Sequence, residues 1–376
     1  MTNKSELGES IIKGAQLRKA RELLQLGQEE VASELNVDQQ VVVDWERDRL
    51  HPSLKQLEKL AELYGRGIDY FLKETPPPPQ RIEFRGKPGQ SMNDLPIQAK
   101  TALARFDELC RAALEVEGLL DRKREVTLSR FNESVHPRAV AENLRRRLGA
   151  DDKPLPNLRE RLEREGVRIF ELLVPGDAFS GFSFWHSDYG PCVLLNASDL
   201  KGRRNFTLAH ELGHLLYGHE STLCFIPVKL SAVYGDVEFK TNRFAVELLL
   251  PQMGVKEDFR TRELSSKPLE QELGEVARKW GVSIQALGYR LENLGLIQGG
   301  HTDTLFELRP QFFSRKGVKR RPKWKRQLGR EFVGMTFEAY EKGLISAGKA
   351  ANSLGITVRE AVKEIERRGQ ERGKHR

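Results

Sequence analysis

The chain has 376 residues, 39% of them hydrophobic, and a formal net charge of +8. That length calls for two or three domains with cores of their own, and no run of about 18 apolar residues is present to cross a membrane. The opening MTNKSELGES lacks the apolar core of an export signal, and three widely spaced cysteines (Cys110, Cys192, Cys224) suit reduced thiols in a cytoplasmic setting better than a disulfide frame. The positive charge permits nucleic-acid contact without establishing it.

The first domain is expected over residues 1–74. Ala15, Leu17, Ala20, Leu23 and Leu24 recur at helical spacing and mark an amphipathic helix. Gln28 to Leu35 reads as a second helix, Asn36-Val37-Asp38 as a turn, and Gln39 to Glu46 as a third helix. Leu54, Leu57, Leu60, Ala61 and Leu63 form a fourth, after Pro52 at its start. The run from QEEVASELNV to KLAELYG resembles the Cro/Xre-type helix-turn-helix family along its whole length. Asn36 stands where that family often has glycine, and asparagine tolerates the left-handed conformation of the turn. The resemblance implies double-stranded DNA as a partner. Gln39 and Gln40 would open the recognition helix in the major groove, where glutamine can pair with adenine through two hydrogen bonds. Gln28 would donate to a phosphate, with Arg18, Lys19 and Arg47 as further candidates. A homodimer on a palindromic site is the expected arrangement, and a helical docking module is the competing one.

Residues 75–96 contain TPPPP, then RGKPGQ and Pro96. Consecutive prolines favour an extended, semi-rigid spacer, so this stretch reads as a Pro-rich linker. From Ile97 to Glu117 a long helix is expected, with Ala102, Leu103, Phe106, Leu109 and Leu114 on one side. Pro137 to Leu148 is another, begun by His136-Pro137 and ended by Gly149. VRIFELLV, FSGFSFWH and CVLLN read as three short strands, with Asp188 to Pro191 connecting the last two.

The stretch HELGH, His210 to His214, carries the chemistry. On a helix the two histidines sit at i and i+4 and project from one face. That spacing lets two neutral imidazoles bind one Zn²⁺. Glu211, about 100° round the helix, can act as a general base without being a ligand. Phe206, Leu208, Ala209, Leu212, Leu215 and Leu216 make the rest of the helix apolar, so the polar trio is costly to bury unless something satisfies it. Two core histidines matching by accident are the bland alternative. A third ligand should come from a neighbouring helix. EFKTNRFAVELLLP, Glu238 to Pro251, has helical spacing and places Glu238 at its start. His219 and Cys224 are other candidate ligands by proximity, and Tyr217 or Tyr234 could polarise a carbonyl.

RRNFTLAHELGHLL followed by ExxxNxFAxxLLxP resembles the ImmA/IrrE family of zinc metallopeptidases, as do AENLRRRLG and LPNLRERLEREGVRIFEL before it. The resemblance implies Zn²⁺ as cofactor, His210, His214 and Glu238 as its ligands, and Glu211 as the catalytic base. Thr241 stands where the family usually has alanine and Leu250 where it often has methionine, both beside the ligands. Zinc peptidases of this type pair substrate with an edge strand, for which CVLLN, Cys192 to Asn196, is the candidate, a core strand being the alternative.

Leu273 to Ile297 repeats helix-turn-helix spacing around Gly281-Val282-Ser283, and a packing role is expected there. Arg315 to Arg326 holds eight basic residues in twelve and reads as a solvated linker. Ile345 to Gly369 gives two further helices about Gly355-Ile356-Thr357. The expected architecture is multidomain and mainly α. It comprises an all-α helix-turn-helix domain (1–74), a linker (75–96), an α+β zincin-like metallopeptidase domain with a gluzincin-type ligand set (97–300), and a basic linker with a small C-terminal helical unit (301–376). The resemblances imply a cytoplasmic bacterial or phage regulator that cleaves a repressor or similar protein in a stress or prophage response. A zinc domain that senses a ligand or partner without turnover is the rival. Cleavage in trans is favoured over a self-cut in RIEFRG, Arg81 to Gly86, because a tethered linker must bend back into a site it directly precedes.

Overall fold

The computed structural model describes residues 12–72, 92–174, 178–219, 222–224, 235–260, 269–308 and 324–373. TPPPP, RIEFRG and most of the basic run lie outside the described residues. The chain divides into two compact units, Met1–Lys123 with Leu328–Arg376, and Arg124–Gln327. Among the described residues no helix is long and apolar enough to cross a membrane.

In the first unit, α1 (Gly14–Leu23), α2 (Gln28–Leu35), α3 (Gln39–Glu46) and α4 (Leu54–Leu63) close around Leu17, Leu24, Val31, Val42, Trp45, Leu57 and Leu60. Their ends are set locally. Asn36 takes the left-handed conformation, φ 56°, that stops α2 and turns the chain. Asp38 accepts from the Gln40 N–H at the start of α3, and Ser53 and Gln56 form a capping box on α4. One buried carboxylate ties the helices together. Glu46 accepts from Arg21 Nε (2.6 Å) and Nη2 (2.9 Å) and from Gln28 Nε2 (2.8 Å).

The sequence reading groups the long helix α5 (Ile97–Leu119) with residues 97–300, yet by packing it lies in the first unit. The reason is its burial nearly all round: Ala99, Leu103, Phe106, Leu109, Cys110, Ala113 and Val116 are all covered. Its alanines let neighbours approach on several faces. Thr101 Oγ1 donates to Leu63 O (2.6 Å), and Arg66 pairs with Asp107 (3.1 Å) and Glu108 (3.0 Å). The helices Arg330–Glu341 and Ala347–Leu354 pack on α5, with Lys349 bridging to Glu115 (2.9 Å). Cys110, like Cys192 in the second unit, is buried and not part of a disulfide.

The second unit holds α6 (Pro137–Arg147), α7 (Leu158–Arg164), a four-stranded sheet and further helices after it. Its strands are β1 (Arg168–Leu172), β2 (Gly181–His186), β3 (Gly190–Asn196) and β4 (Thr222–Cys224). The order is β1-β3-β2-β4. β1 runs parallel to β3, and β2 runs antiparallel to both β3 and β4. The candidate edge strand is therefore corrected: Cys192 to Asn196 lies within β3, which is paired on both sides and buried at every position. Its unbroken apolar run is the mark of a strand covered on both faces.

α8 (Lys201–Tyr217) lies across β2 and β3, and α9 (Gly235–Leu249) packs on α8 and α6. Gly213 is where the two helices meet: a Cβ there would stand 3.0 Å from the Phe244 ring and 3.3 Å from Thr241. After α9 come α10 (Gln252–Arg260), α11 (Leu269–Trp280), α12 (Ile284–Asn293) and α13 (His301–Leu308). The α11–α12 turn packs on α8, with Asn205 Nδ2 donating to Gly281 O (2.8 Å).

Two buried arginines pin the far end of α9. Arg145 of α6 donates to the carbonyls of Leu248, Asp151 and Lys153, and although burial pulls its pKa down to about 10 it stays charged. Arg290 of α12 pairs with Glu247 (2.6 Å) and donates to Leu250 O (3.0 Å). Replacing Arg145 with methionine keeps much of the volume but removes the donor to the buried Leu248 carbonyl and to the part-buried carbonyls of Asp151 and Lys153. Each lost partner costs about 1–3 kcal/mol, so Arg145→Met should shift the second unit's urea transition sharply to lower denaturant. An unchanged midpoint would show that the carbonyls find water instead.

Candidate metal centre

Every residue of α8 from Thr207 to Tyr217 is buried, and the helix ends at Gly218 in the left-handed conformation. His210 and His214 lie one turn apart with their Nε2 atoms 3.0 Å from each other. Glu238 enters from the first turn of α9. Its Oε2 is 3.2 Å from His210 Nε2 and its Oε1 is 3.4 Å from His214 Nε2. The donor atoms of these three residues all lie within 4.8 Å of one another. The two imidazoles are closed off from solvent, whereas the Glu238 side chain is 25% exposed, which sets the accessible side of the cluster.

This donor set fits zinc. Two imidazole nitrogens and one carboxylate oxygen supply three positions of a tetrahedron and leave the fourth open. The outer nitrogens are engaged as zinc ligands require. His210 Nδ1 lies 3.0 Å from Asn242 Oδ1, an acceptor, so Nδ1 carries the proton and Nε2 presents its lone pair. His214 Nδ1 lies 3.0 Å from His219 Nδ1. Burial lowers the His214 pKa to about 4, which keeps its imidazole neutral.

Glu211 is fully buried beside the pair. Ser183 Oγ, on β2, donates to its Oε2 at 2.7 Å. Gly181, two residues earlier on the same face of the strand, leaves room for the carboxylate: a Cβ there would stand 2.6 Å from Glu211 Oε1 and 2.5 Å from Thr207 Cγ2. The sequence reading missed Ser183, Gly181 and Asn242, although signals for them exist. Gly181 and Ser183 alternate with Phe182 and Phe184, the period of a strand with one small, polar face. Asn242 follows Glu238 by one helical turn and shares its face.

Other candidates fall elsewhere. His219 meets His214 through the outer nitrogens and is not in the three-residue cluster. The Tyr217 hydroxyl donates to Val135 O (3.1 Å). Tyr234 and the side chain of Cys224 lie outside the described residues. In the first unit Gln39 and Gln40 are exposed at the start of α3, with Gln40 Nε2 donating to Asp44 (3.0 Å). The Gln28 amide donates to Glu46, and Arg18 pairs with Glu22 at 2.7 Å.

Two family models match parts of the chain. Residues 162–292 match the peptidase M78 family, described as an IrrE N-terminal-like domain, and residues 17–71 match a helix-turn-helix family. The chain thus pairs a DNA-binding helix-turn-helix domain with a protease-like domain of the ImmA/IrrE type. No curated protein matches the chain in a sequence search.

Gly181→Ala tests how tightly β2 holds Glu211. The added methyl must displace either the carboxylate or Thr207, an overpacking worth about 1–3 kcal/mol. Thermal unfolding of the second unit should show that loss, and an unaltered transition would mean that Glu211 moves aside freely.

Proposed function

We propose that this chain is a DNA-binding transcriptional regulator whose second unit is a zinc-dependent endopeptidase. Its substrate is a peptide bond in a repressor or other regulatory protein, cleaved in a stress- or prophage-type response in the bacterial cytoplasm. The observation that carries the reading is the convergence of His210, His214 and Glu238 next to a buried Glu211 that is held by Ser183. A histidine pair serving only as core packing would need neither the carboxylate from α9 nor an aligned acid beside it.

Zinc, when bound, supplies Lewis acidity to the scissile carbonyl and to water. His210 and His214 offer Nε2 atoms and Glu238 a carboxylate oxygen. Glu211 is the general base: it takes a proton from the attacking water and later delivers it to the leaving amine. Ser183 keeps that carboxylate aimed. The apolar walls around α8 exclude bulk water and strengthen each of these interactions.

In the first unit, Gln39 and Gln40 read base edges in the major groove. Gln28 contacts a phosphate. Its amide has two N–H groups, so Glu46 can hold one while the other faces the backbone of the DNA. A homodimer would place two such helices on a palindrome.

Glu211→Gln decides between turnover and sensing. Zinc-loaded protein and the variant are incubated with lysate, and new protein termini are mapped. The variant should keep its zinc and lose about 10²-fold or more of the cleavage. Equal cleavage, or none from either protein, would reject the peptidase reading. For DNA, a fragment covering residues 1–74 should enrich a specific duplex from a random pool. Gln40→Ala should relax preference at one base pair by about 1–3 kcal/mol. Enrichment of nothing would make the domain a docking module.

A further inference from the structure

The outer nitrogen of His214 has an unusual partner. His210 is oriented by an amide oxygen, but His214 meets a second imidazole, His219, through Nδ1–Nδ1 contact at 3.0 Å. Such a contact has two possible proton arrangements. In one, His214 Nδ1–H donates and its Nε2 presents a lone pair to the cluster. In the other, His219 Nδ1–H donates and His214 carries its proton on Nε2, facing His210 Nε2 at 3.0 Å.

The choice is made on the far side of His219. Its buried Nε2 makes no direct hydrogen bond among the described residues, and the Glu133 carboxylate approaches it at ion-pair range, with Oε1 at 3.5 Å. A carboxylate only accepts hydrogen bonds, so it favours the proton on His219 Nε2. His219 Nδ1 is then the lone pair, and His214 Nδ1 must be the donor. The Glu133 side chain is 60% exposed, but the backbone that carries it is anchored. Phe131 N–H donates to Leu216 O (2.7 Å), Tyr217 Oη donates to Val135 O (3.1 Å), and Lys240 Nζ donates to Glu133 O (2.6 Å). The segment 131–135 is thus fastened to the end of α8 and to α9, the helix that also carries Glu238. His219 is itself fixed: its backbone N–H donates to His214 O (3.0 Å) and its ring stacks on Tyr217 at 18°.

We infer that His219 is a positioning residue for the metal centre, with Glu133 selecting its tautomer so that His214 presents Nε2 as a ligand. The inference rests on the zinc reading above. It makes a relay from Glu133 through His219 to His214, parallel to the simpler Asn242–His210 contact on the other ligand. Partners of this kind raise ligand basicity and fix ring orientation, and losing one typically weakens metal binding about 10- to 100-fold.

Two variants of the full chain separate this role from packing. His219→Phe keeps the ring on Tyr217 and removes the acceptor. His219→Asn gives up the ring and can return an acceptor oxygen near the Nδ1 position. Zinc affinity is measured by competition with a chelator, beside thermal unfolding of the metal-free proteins. The Phe variant should bind zinc about 10- to 100-fold more weakly, and the Asn variant should stay close to the parent. Equal losses in both, or no loss in the Phe variant, would reduce His219 to packing. Histidine ¹H–¹⁵N spectra of the zinc-loaded protein give an independent readout. They should show His219 protonated on Nε2 and His214 on Nδ1, and a His219 proton on Nδ1 would overturn the relay. A parent protein that takes up no zinc would instead reject the metal reading itself.

Discussion

Burying three ionisable side chains on one turn and a half of an apolar helix is the constraint from which the second unit follows. His210, Glu211 and His214 have almost no solvent contact. Left unsatisfied, each would cost several kcal/mol on the order of a lost charged hydrogen bond. The surroundings answer that demand group by group: Asn242 for His210, His219 for His214, Ser183 for one oxygen of Glu211, and Glu238 beside the two imidazoles. These partners come from β2, from α9 and from the second residue beyond α8. The sheet, the second helix and the helix end are therefore all needed to make the polar turn tolerable.

Placement of α9 is the next requirement, because Glu238 reaches the cluster only if that helix lies close and at the right height. Gly213 sets the closeness by presenting no side chain at the crossing. Height is held from the other end by Arg145 and Arg290, which grip the Leu248 and Leu250 carbonyls and Glu247. Guanidinium suits this task, since it stays charged when buried and offers several donors in a fixed plane. Neither arginine contacts the cluster, yet both position the helix that completes it.

The same local device serves different ends in this chain. A helix, a left-handed residue, a hydrophobic residue and a capping side chain recur at Asn36-Val37-Asp38 and Gly281-Val282-Ser283. The first turn leaves Gln39 and Gln40 exposed. The second is packed against the start of α8, where a Cβ on Gly202 would run into Val282 and Ser283. Turn chemistry specifies the angle between two helices, while burial decides whether the second helix can face a partner.

Much of this was legible in the residues because it is local. The bounds of α2 and α3 follow from capping side chains and a left-handed asparagine, all within a few residues of the helix ends. The histidine pair follows from i, i+4 spacing, which needs no tertiary information. Glu238 lay on a helix whose period and stop were readable, and the family resemblance supplied its partnership with the histidines. What the residues could not state were relations between distant segments. Strand pairing is non-local, so the apolar run of β3 fitted an edge or a centre until β1 and β2 were found on either side of it. α5 follows the linker in sequence but joins the first unit, because its burial on several faces depends on which helices arrive around it. Ser183 and Glu133 act on α8 from 28 residues upstream of Glu211 and from a separate segment. Hydrogen-bond partners across such separations are chosen by the packed backbone, and only the tertiary structure brings those atoms within reach.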